Sequence, residues 1–416
     1  MKKSYDIAVI GGGASGLAAA ITSARMAEGA SVAVFEKKET TGKKLSAAGN
    51  GRCNISNVGC ESLEQVMDFF GSVGISLRKD DEGRLYPYAE EGAEVTALLT
   101  ACARNEGVEI FLNSEIKGME AEPCGGFLLF VDGKDTDGYS TGDKKVTAKN
   151  VLLATGGKSY ASMGTTGDGY IMARKLGHSV SRLVPALTGI EVCEDLTALK
   201  GLRVKAEASL FKDGRMIFSE SGEVQFRADS LSGICIMNMS RQIRRDGEYE
   251  IRINTVPDFA PAELGQMLRS RFAVKGLTAE EALKTLVKKP LAQYVLKKAE
   301  IKEDEKAVMF LDTETELCGR EQGSQKLESL AKELCNMSFK VKNLKGWNEA
   351  QVTAGGVELS EVNSLTMESK LLPGLFFSGE VLDYDGPCGG YNLHHAWLTG
   401  IRAGKGMAER CTEFTR

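Results

Sequence analysis

Gly11, Gly13 and Gly16, with a carboxylate at Glu36, are the first residues whose types and spacing suggest chemistry. Gly11 permits a tight turn, Gly13 lets backbone N–H groups approach a pyrophosphate, and Gly16 lets a helix pack closely on a strand. The N–H groups of Ala14 and Ser15 would open that helix, whose amino end carries about half a positive charge and holds phosphate without a lysine. Glu36, twenty residues after Gly16, is placed to accept hydrogen bonds from ribose hydroxyls. A carboxylate there repels a 2′-phosphate, so NADP is disfavoured.

These residues need a frame, and the surrounding sequence supplies one. Residues 7–10 form an apolar run that leads straight into the glycines, Leu17, Ala20, Ile21 and Ala24 then recur at helical spacing, and residues 32–35 form a second apolar run ending on Glu36. The order strand, turn, helix, strand, acid predicts a dinucleotide site, with Lys37 beside it.

The chain of 416 residues is long enough for two or three domains, and its 42% hydrophobic and 26% charged residues are those of an ordinary globular protein. A net charge of −5 argues against a general polyanion-binding surface, so nucleic acid is not expected as a partner. No apolar run approaches the roughly 18 residues of a membrane span. Ten cysteines, with no C-x-x-C pair and no clustering with the three histidines, predict reduced thiols in a cytoplasmic protein and no metal site.

After Glu36 the sequence reads Gly42-Lys43-Lys44 and then Ser46-Ala47-Ala48-Gly49-Asn50-Gly51-Arg52-Cys53-Asn54. Small and hydrogen-bonding residues replace a hydrophobic period, which predicts a ligand-wrapping loop where a bare NAD domain would have a crossover helix. This stretch resembles the second FAD-contacting motif of a family of bacterial flavoproteins that includes aminoacetone oxidases and dehydro-bile-acid reductases. The resemblance implies cofactor contacts from Lys44, Gly51, Arg52, Cys53 and Asn54. Further on, Ala154-Thr155-Gly156-Gly157 resembles the ATG motif of two-dinucleotide-fold flavoproteins, and an apolar strand ending in Gly379-Glu380, with Asp383 beyond it, resembles the family's last FAD motif. The same likeness puts the adenine near Ile116 and the flavin pyrimidine near Gly390, Tyr391 and Asn392.

Between these motifs the pattern predicts helices over 62–71 and 94–105, the latter with Val95, Leu98, Leu99 and Cys102 on one face. Strands are expected over 108–112, 127–131 and 145–154, with a polar loop over 132–144 that contains Gly133, Gly138 and Gly142. Asp168 is expected to cap a helix whose apolar side holds Ile171, Ala173 and Leu176, with an approach to the flavin as the alternative. From Val204 onward, alternation and the turn Lys212-Asp213-Gly214 predict antiparallel strands. Within that β-rich region Pro261, the capping box Thr278-Ala279-Glu280-Glu281 and Pro290 each announce a helix. Its lysines are interleaved with glutamates, as on a solvated helical face.

The expected fold is therefore α/β: a two-segment Rossmann-like FAD-binding domain over 1–187 and 346–416, with an inserted β-barrel-like substrate domain over 188–345 and a small helical subdomain over about 258–335. The resemblance implies an FAD-dependent oxidoreductase that moves hydride between flavin N5 and a small organic substrate. Reduction of a conjugated C=C in a dehydro-bile acid or steroid-like enone leads; amine oxidation by O2, and a non-catalytic or tRNA-related flavoprotein, are the alternatives. With one complete dinucleotide fingerprint, NADH would visit only transiently. The chain departs from its relatives at 226–234 and at Leu393-His394-His395-Ala396-Trp397, where phenylalanine, glutamine and tryptophan are common. Tyr384, Tyr391, His394 and His395 are candidate proton donors, each with a structural role as the simpler expectation, and Cys53 is a candidate redox thiol.

Overall fold

The computed structural model describes residues 1–134, 140–244, 246–311 and 320–413. Two compact units emerge: Met1–Ala186 with Trp347–Arg416, and Leu187–Gly346. Gly138, in the polar connection, lies outside the described residues.

The first unit is built on a seven-stranded sheet. Strands Ser4–Ile10, Val32–Phe35, Glu109–Phe111, the second half of Ser140–Leu153, and Leu375–Phe377 run parallel, and the register levels their carboxyl ends at Ile10, Phe35, Phe111, Leu153 and Phe377. The side chains of residues 7–10, Val32–Phe35, residues 150–153 and Leu375–Phe377 are buried, as expected of strands covered on both faces, whereas those of Glu109–Phe111, at the edge of the sheet, are only partly so. Each strand end then delivers a predicted motif at the same edge of the sheet: Gly11, Glu36, Ala154 and Gly379 all follow within two residues of a levelled terminus. The alignment of the motifs is thus set by hydrogen-bond register.

The remaining strands, Ser114–Ala121 and Phe127–Lys134, form an antiparallel meander with the first half of Ser140–Leu153. Residues 132–134 and 140–144 extend these strands beyond the loop boundaries expected from hydrophobicity, because backbone pairing between the two strands, and not an apolar pattern, sets where they end. Ser114–Ala121 is a strand that the sequence pattern does not predict.

Two helices lie against each other beside the sheet. Ala14–Met26 and Tyr391–Glu413 approach so closely that a Cβ on Gly400 would sit 2.4 Å from the Ser15 carbonyl oxygen, and one on Gly404 2.7 Å from that of Ala19. Small residues at helical spacing make this contact possible. Elsewhere Leu98 and Ile171 point to solvent rather than to the core, since each falls on the outer edge of its helix's apolar stripe.

The second unit is a closed six-stranded antiparallel barrel, in the order Ile190–Val192, Ser230–Ser232, Arg215–Phe226, Arg203–Lys212, Tyr249–Asn254, Met337–Leu344. Ala206, Ala208, Leu210, Val224, Ile251, Ile253 and Phe339 are buried at alternating positions, which fixes each strand's face. Closure leaves no edge strand exposed. Pro261–Phe272, Ala279–Leu283, Lys289–Lys298 and Arg320–Cys335 supply the helical part. Thr278 Oγ1 accepts from Glu281 N while Glu281 accepts from Thr278 N, the expected capping box.

Candidate cofactor site

The site grows from the turn at Gly11. Its φ of +107° is one that side-chain-bearing residues rarely adopt, and an added Cβ would lie 2.4 Å from the Ala154 carbonyl oxygen, so only glycine lets strands Ser4–Ile10 and Ser140–Leu153 meet there. Gly16 is as tightly held, with its Cβ position 2.0 Å from Gly11 O. Gly13 differs: nothing lies within 4 Å of where its Cβ would be. The helix beginning at Ala14 has no side-chain cap and no acidic residue in its first turn. An open space over an uncapped helix start fits a pyrophosphate.

Glu36 closes the turn. Its Oε2 accepts from Gly12 N at 2.8 Å and its Oε1 from Lys38 N at 2.8 Å, which fixes the carboxylate while each oxygen keeps a second lone pair. Burial pushes its pKa up, against the opposing pull of those two N–H groups and of Lys37 and Lys38. Ser114 N donates to Glu36 O, so the start of the strand bearing buried Ile116 runs beside the acid.

Other predicted side chains bond to protein. Lys37 Nζ lies 2.9 Å from Asp168 and 2.7 Å from Thr166 Oγ1. Asp168 is therefore an ion-pair partner, and the cap position belongs to Gly167, without a side-chain capping bond. Lys44 Nζ reaches Glu380 Oε2 and Ser159 Oγ, both at 2.7 Å, and Glu380 Oε1 accepts from Thr353 N at 2.8 Å and from Ser159 Oγ at 3.2 Å. Four chain segments meet in this node. Ser159 and Thr353 carry no signal of this role in the sequence, because neither sits in a recognisable motif.

The second motif is only partly a loop: residues Lys43–Ala47 form a short helix. Gly42 N donates to Gly12 O at 2.8 Å and ties this motif to the first. Arg52 is exposed, its guanidinium stacked 5.0 Å from the Tyr86 ring centre. Cys53 is fully buried, and burial pushes its thiol up to about 12, which favours the protonated form and a packing role. Asn54, with its amide oriented to satisfy both neighbours, donates to Ser56 O and accepts from Gly390 N.

The last helix is drawn in by the same segment. Gly390, at φ +105°, would place a Cβ 2.4 Å from Ser56 O, and Asn57 Nδ2 donates to Gly389 O at 3.0 Å. Asn392 exchanges hydrogen bonds with Gly386 at 2.8 and 2.9 Å and so closes the preceding loop. Asp383 N donates to Val357 O. Thr155 Oγ1 lies where Gly169 would carry a side chain, and Gly156 has φ +70°. The Tyr391 hydroxyl sits close to Gly59. His394 is bonded at both ring nitrogens, to Ser56 Oγ and Glu61 O, each at 2.8 Å, which makes it a structural pin. Among the described residues no group of three or more histidine, cysteine or acidic side chains is placed to hold a metal, and no helix is long and apolar enough to cross a membrane.

This sheet, with a fingerprint turn, an acid and a returning C-terminal segment at one edge, is the Rossmann-like FAD-binding fold of flavoprotein oxidoreductases. The profile of the HI0933-like protein Rossmann domain matches residues 61–406, and that of the NAD(P)-binding Rossmann-like domain matches residues 9–54. The chain belongs to the HI0933-like family and is an FAD-dependent oxidoreductase. It is 32% identical to a 3-dehydro-bile acid delta(4,6)-reductase of Clostridium scindens, over 97% of this chain and 99% of the relative. It is also 27% identical to a ribosomal RNA dihydrouridine synthase of Haemophilus influenzae, over 94% and 95%. In fold it resembles the open conformation of a flavocytochrome c3 fumarate reductase, with TM-score 0.51 and 18% identity over 99% of this chain and 79% of that one.

Proposed function

We propose that the protein reduces a carbon–carbon double bond conjugated to a carbonyl in a small organic substrate of the dehydro-bile-acid or steroid-like enone type. The observation that carries this reading is the end-to-end similarity to the delta(4,6)-reductase. The ribosomal RNA relatives support the reaction class from another side. Dihydrouridine is uridine whose ring C=C, conjugated to a carbonyl, has been saturated, so both names describe one bond type in different molecules. The net charge of −5 favours the small molecule over RNA.

When bound, FAD supplies the hydride chemistry. In this reading Gly11, Gly13, Ala14, Ser15 and Gly16 present the helix start to the pyrophosphate, Glu36 accepts from the adenosine ribose, and Ile116 borders the adenine. Ala154, Thr155 and Gly156 let the chain pass beside the cofactor, while Gly51, Asn54, Gly379, Asp383, Gly390 and Tyr391 border its flavin half. Lys37, Lys44, Cys53, Glu380 and Asn392 hold those segments by the internal contacts described above, with Arg52 at their exposed margin. NADH serves as a transient electron donor, and the reduced thiols suit the cytoplasm.

The test uses the purified holoprotein. Anaerobically reduced protein is mixed with a 3-oxo-Δ4 steroid, a 3-dehydro-4,6-diene bile acid, or an unmodified ribosomal RNA fragment, and oxidised protein with aminoacetone and O2. Flavin reoxidation by an enone, with loss of the enone absorbance, is expected. Turnover of RNA alone or of the amine alone would overturn the substrate class, and colourless protein that fails to take up FAD would overturn the cofactor site.

A further inference from the structure

Three histidines occur in the chain, and two have both ring nitrogens bonded. His178 Nδ1 lies 2.9 Å from the Glu361 carboxylate and its Nε2 2.9 Å from Ser369 Oγ. Ser369 Oγ already accepts from Leu371 N and Leu372 N, so its proton goes to Nε2 and the imidazole proton sits on Nδ1. For His394 the carbonyl oxygen of Glu61 can only accept, which puts the proton on Nε2 and leaves Nδ1 to accept from Ser56 Oγ.

His395 stands apart. Its Nε2 is buried with no hydrogen-bond partner, although the residue as a whole keeps part of its surface accessible. The ring lies face to face on Tyr384, with centroids 3.9 Å apart and planes 14° apart, so its orientation is held. Burial, with His394 and Arg402 acting in the same direction, pushes its pKa down to about 3, and the imidazole stays neutral under physiological conditions. An orphaned buried N–H is less tolerated than an under-used acceptor, so the single proton belongs on Nδ1 and the buried Nε2 stays bare.

In the last helix His395 follows Gly390 by five positions, and helical side chains lean back toward the amino end. We propose that His395 is a neutral hydrogen-bond donor, through Nδ1–H, to a ligand carbonyl oxygen carried at the amino end of this helix. This inference rests on the cofactor and substrate reading above. A neutral N–H suits an oxygen that gains negative charge during reduction, because it stabilises that charge without having to surrender a proton. Two ligands present such an oxygen: the pyrimidine end of the flavin, and the conjugated carbonyl of the substrate.

The experiment is a long-range 1H–15N correlation spectrum of full-length protein labelled at histidine, with His395 assigned by loss of its signals in His395→Gln. A protonated Nδ1 and a bare Nε2, unchanged between pH 8 and pH 5, are expected. FAD added to apoprotein should displace the Nδ1 resonance if the flavin is the acceptor; a 3-oxo-Δ4 steroid added to holoprotein should do so if the substrate is. His395→Phe, which keeps the stacking, should lower kcat at least about tenfold at unchanged FAD content and little changed KM, and His395→Gln should recover part of the loss. A protonated Nε2, or an Nδ1 signal indifferent to both ligands, overturns the proposal. Because the tautomer is read on apoprotein, failure of the FAD reading leaves a distinct signature: the predicted Nδ1 proton with no flavin uptake.

Discussion

The fingerprint turn and the Lys44–Glu380 pair are both made of residues that motif reading assigns to the cofactor, yet they are opposites. At the turn the space over Gly13 is open and no side chain caps the helix. At the node the charged groups are bonded to one another and to Ser159 and Thr353. Residues of one motif set can therefore differ in kind, some leaving space open and others bonded to the protein around them.

The largest effect should come from collapsing the first kind of region. Gly16→Ala places a Cβ 2.0 Å from Gly11 O with only backbone to yield. Overpacking of this kind costs about 1–3 kcal/mol and here also shifts the turn itself; low recovery of soluble protein and absent FAD are expected. Gly13→Asp is the informative contrast, because its φ of −82° and empty surroundings accept a side chain. The apoprotein should melt within about 1 kcal/mol of the parent, while FAD uptake, followed by absorbance, falls at least a hundredfold. Retained FAD in Gly13→Asp would place the pyrophosphate elsewhere.

Lys44→Met tests the second kind. It leaves the Glu380 carboxylate half-buried beside Ser159 and Thr353 without its counter-charge, a loss of about 1–3 kcal/mol for a charged hydrogen bond. Thermal stability should fall first, with a weaker drop in FAD affinity as the walls loosen. Adding Glu380→Leu should recover part of the stability, since removing both partners is less harmful than removing one. Equal loss of FAD in Lys44→Met and Gly13→Asp, at unchanged stability, would show that Lys44 faces the ligand after all.

The contrast also explains what was legible in the sequence. The turn is local: its glycines and the acid lie within 36 residues of the amino terminus, and strand and helix periodicity frames them. The node joins residues 44, 159, 353 and 380, whose meeting depends on sheet register rather than on any short spacing. Family resemblance found Lys44 and Glu380 as motif members but not their partnership. Asp168 shows the same limit: an acid at a helix start reads as a cap, whereas its actual partner, Lys37, is 131 positions away. The barrel was visible through alternation; the strand Ser114–Ala121 was not, because its mixed burial gives no clear period.

Acid should separate the regions next. Among the three histidines, His394 pins residues 56 and 61 to the last helix, whereas the fingerprint turn contains none. Burial lowers its pKa, with Arg402 acting alongside and the Glu61 carbonyl and Glu64 opposing; His178 is lowered by burial against the pull of Glu361, and His395 also falls. A lowered folded-state value means that the unfolded chain takes up protons which the folded chain refuses. Each contribution is thus fully present above about pH 6.5 and is lost as the pH falls below it, at no more than about 1.4 kcal/mol per pH unit per histidine. The melting temperature should decline from pH 7 to 5, and His394→Gln should decline less steeply. A parallel decline in that variant would assign the acid sensitivity to other groups.

The smallest effect is expected at Cys53, which tests whether the second motif contains chemistry of its own. A thiol pushed up to about 12 is almost wholly protonated at neutral pH, and full burial shields it from reagents. Cys53→Ala should therefore keep FAD content and turnover, at a stability cost of about 1 kcal/mol for the lost packing. Iodoacetamide should leave native Cys53 unlabelled by mass spectrometry while exposed Cys124 and Cys193 react. If Cys53→Ala instead lost turnover at unchanged FAD content, burial would not be its role, and the division between residues that leave room and residues that hold the walls would need a third, reactive class within the same loop.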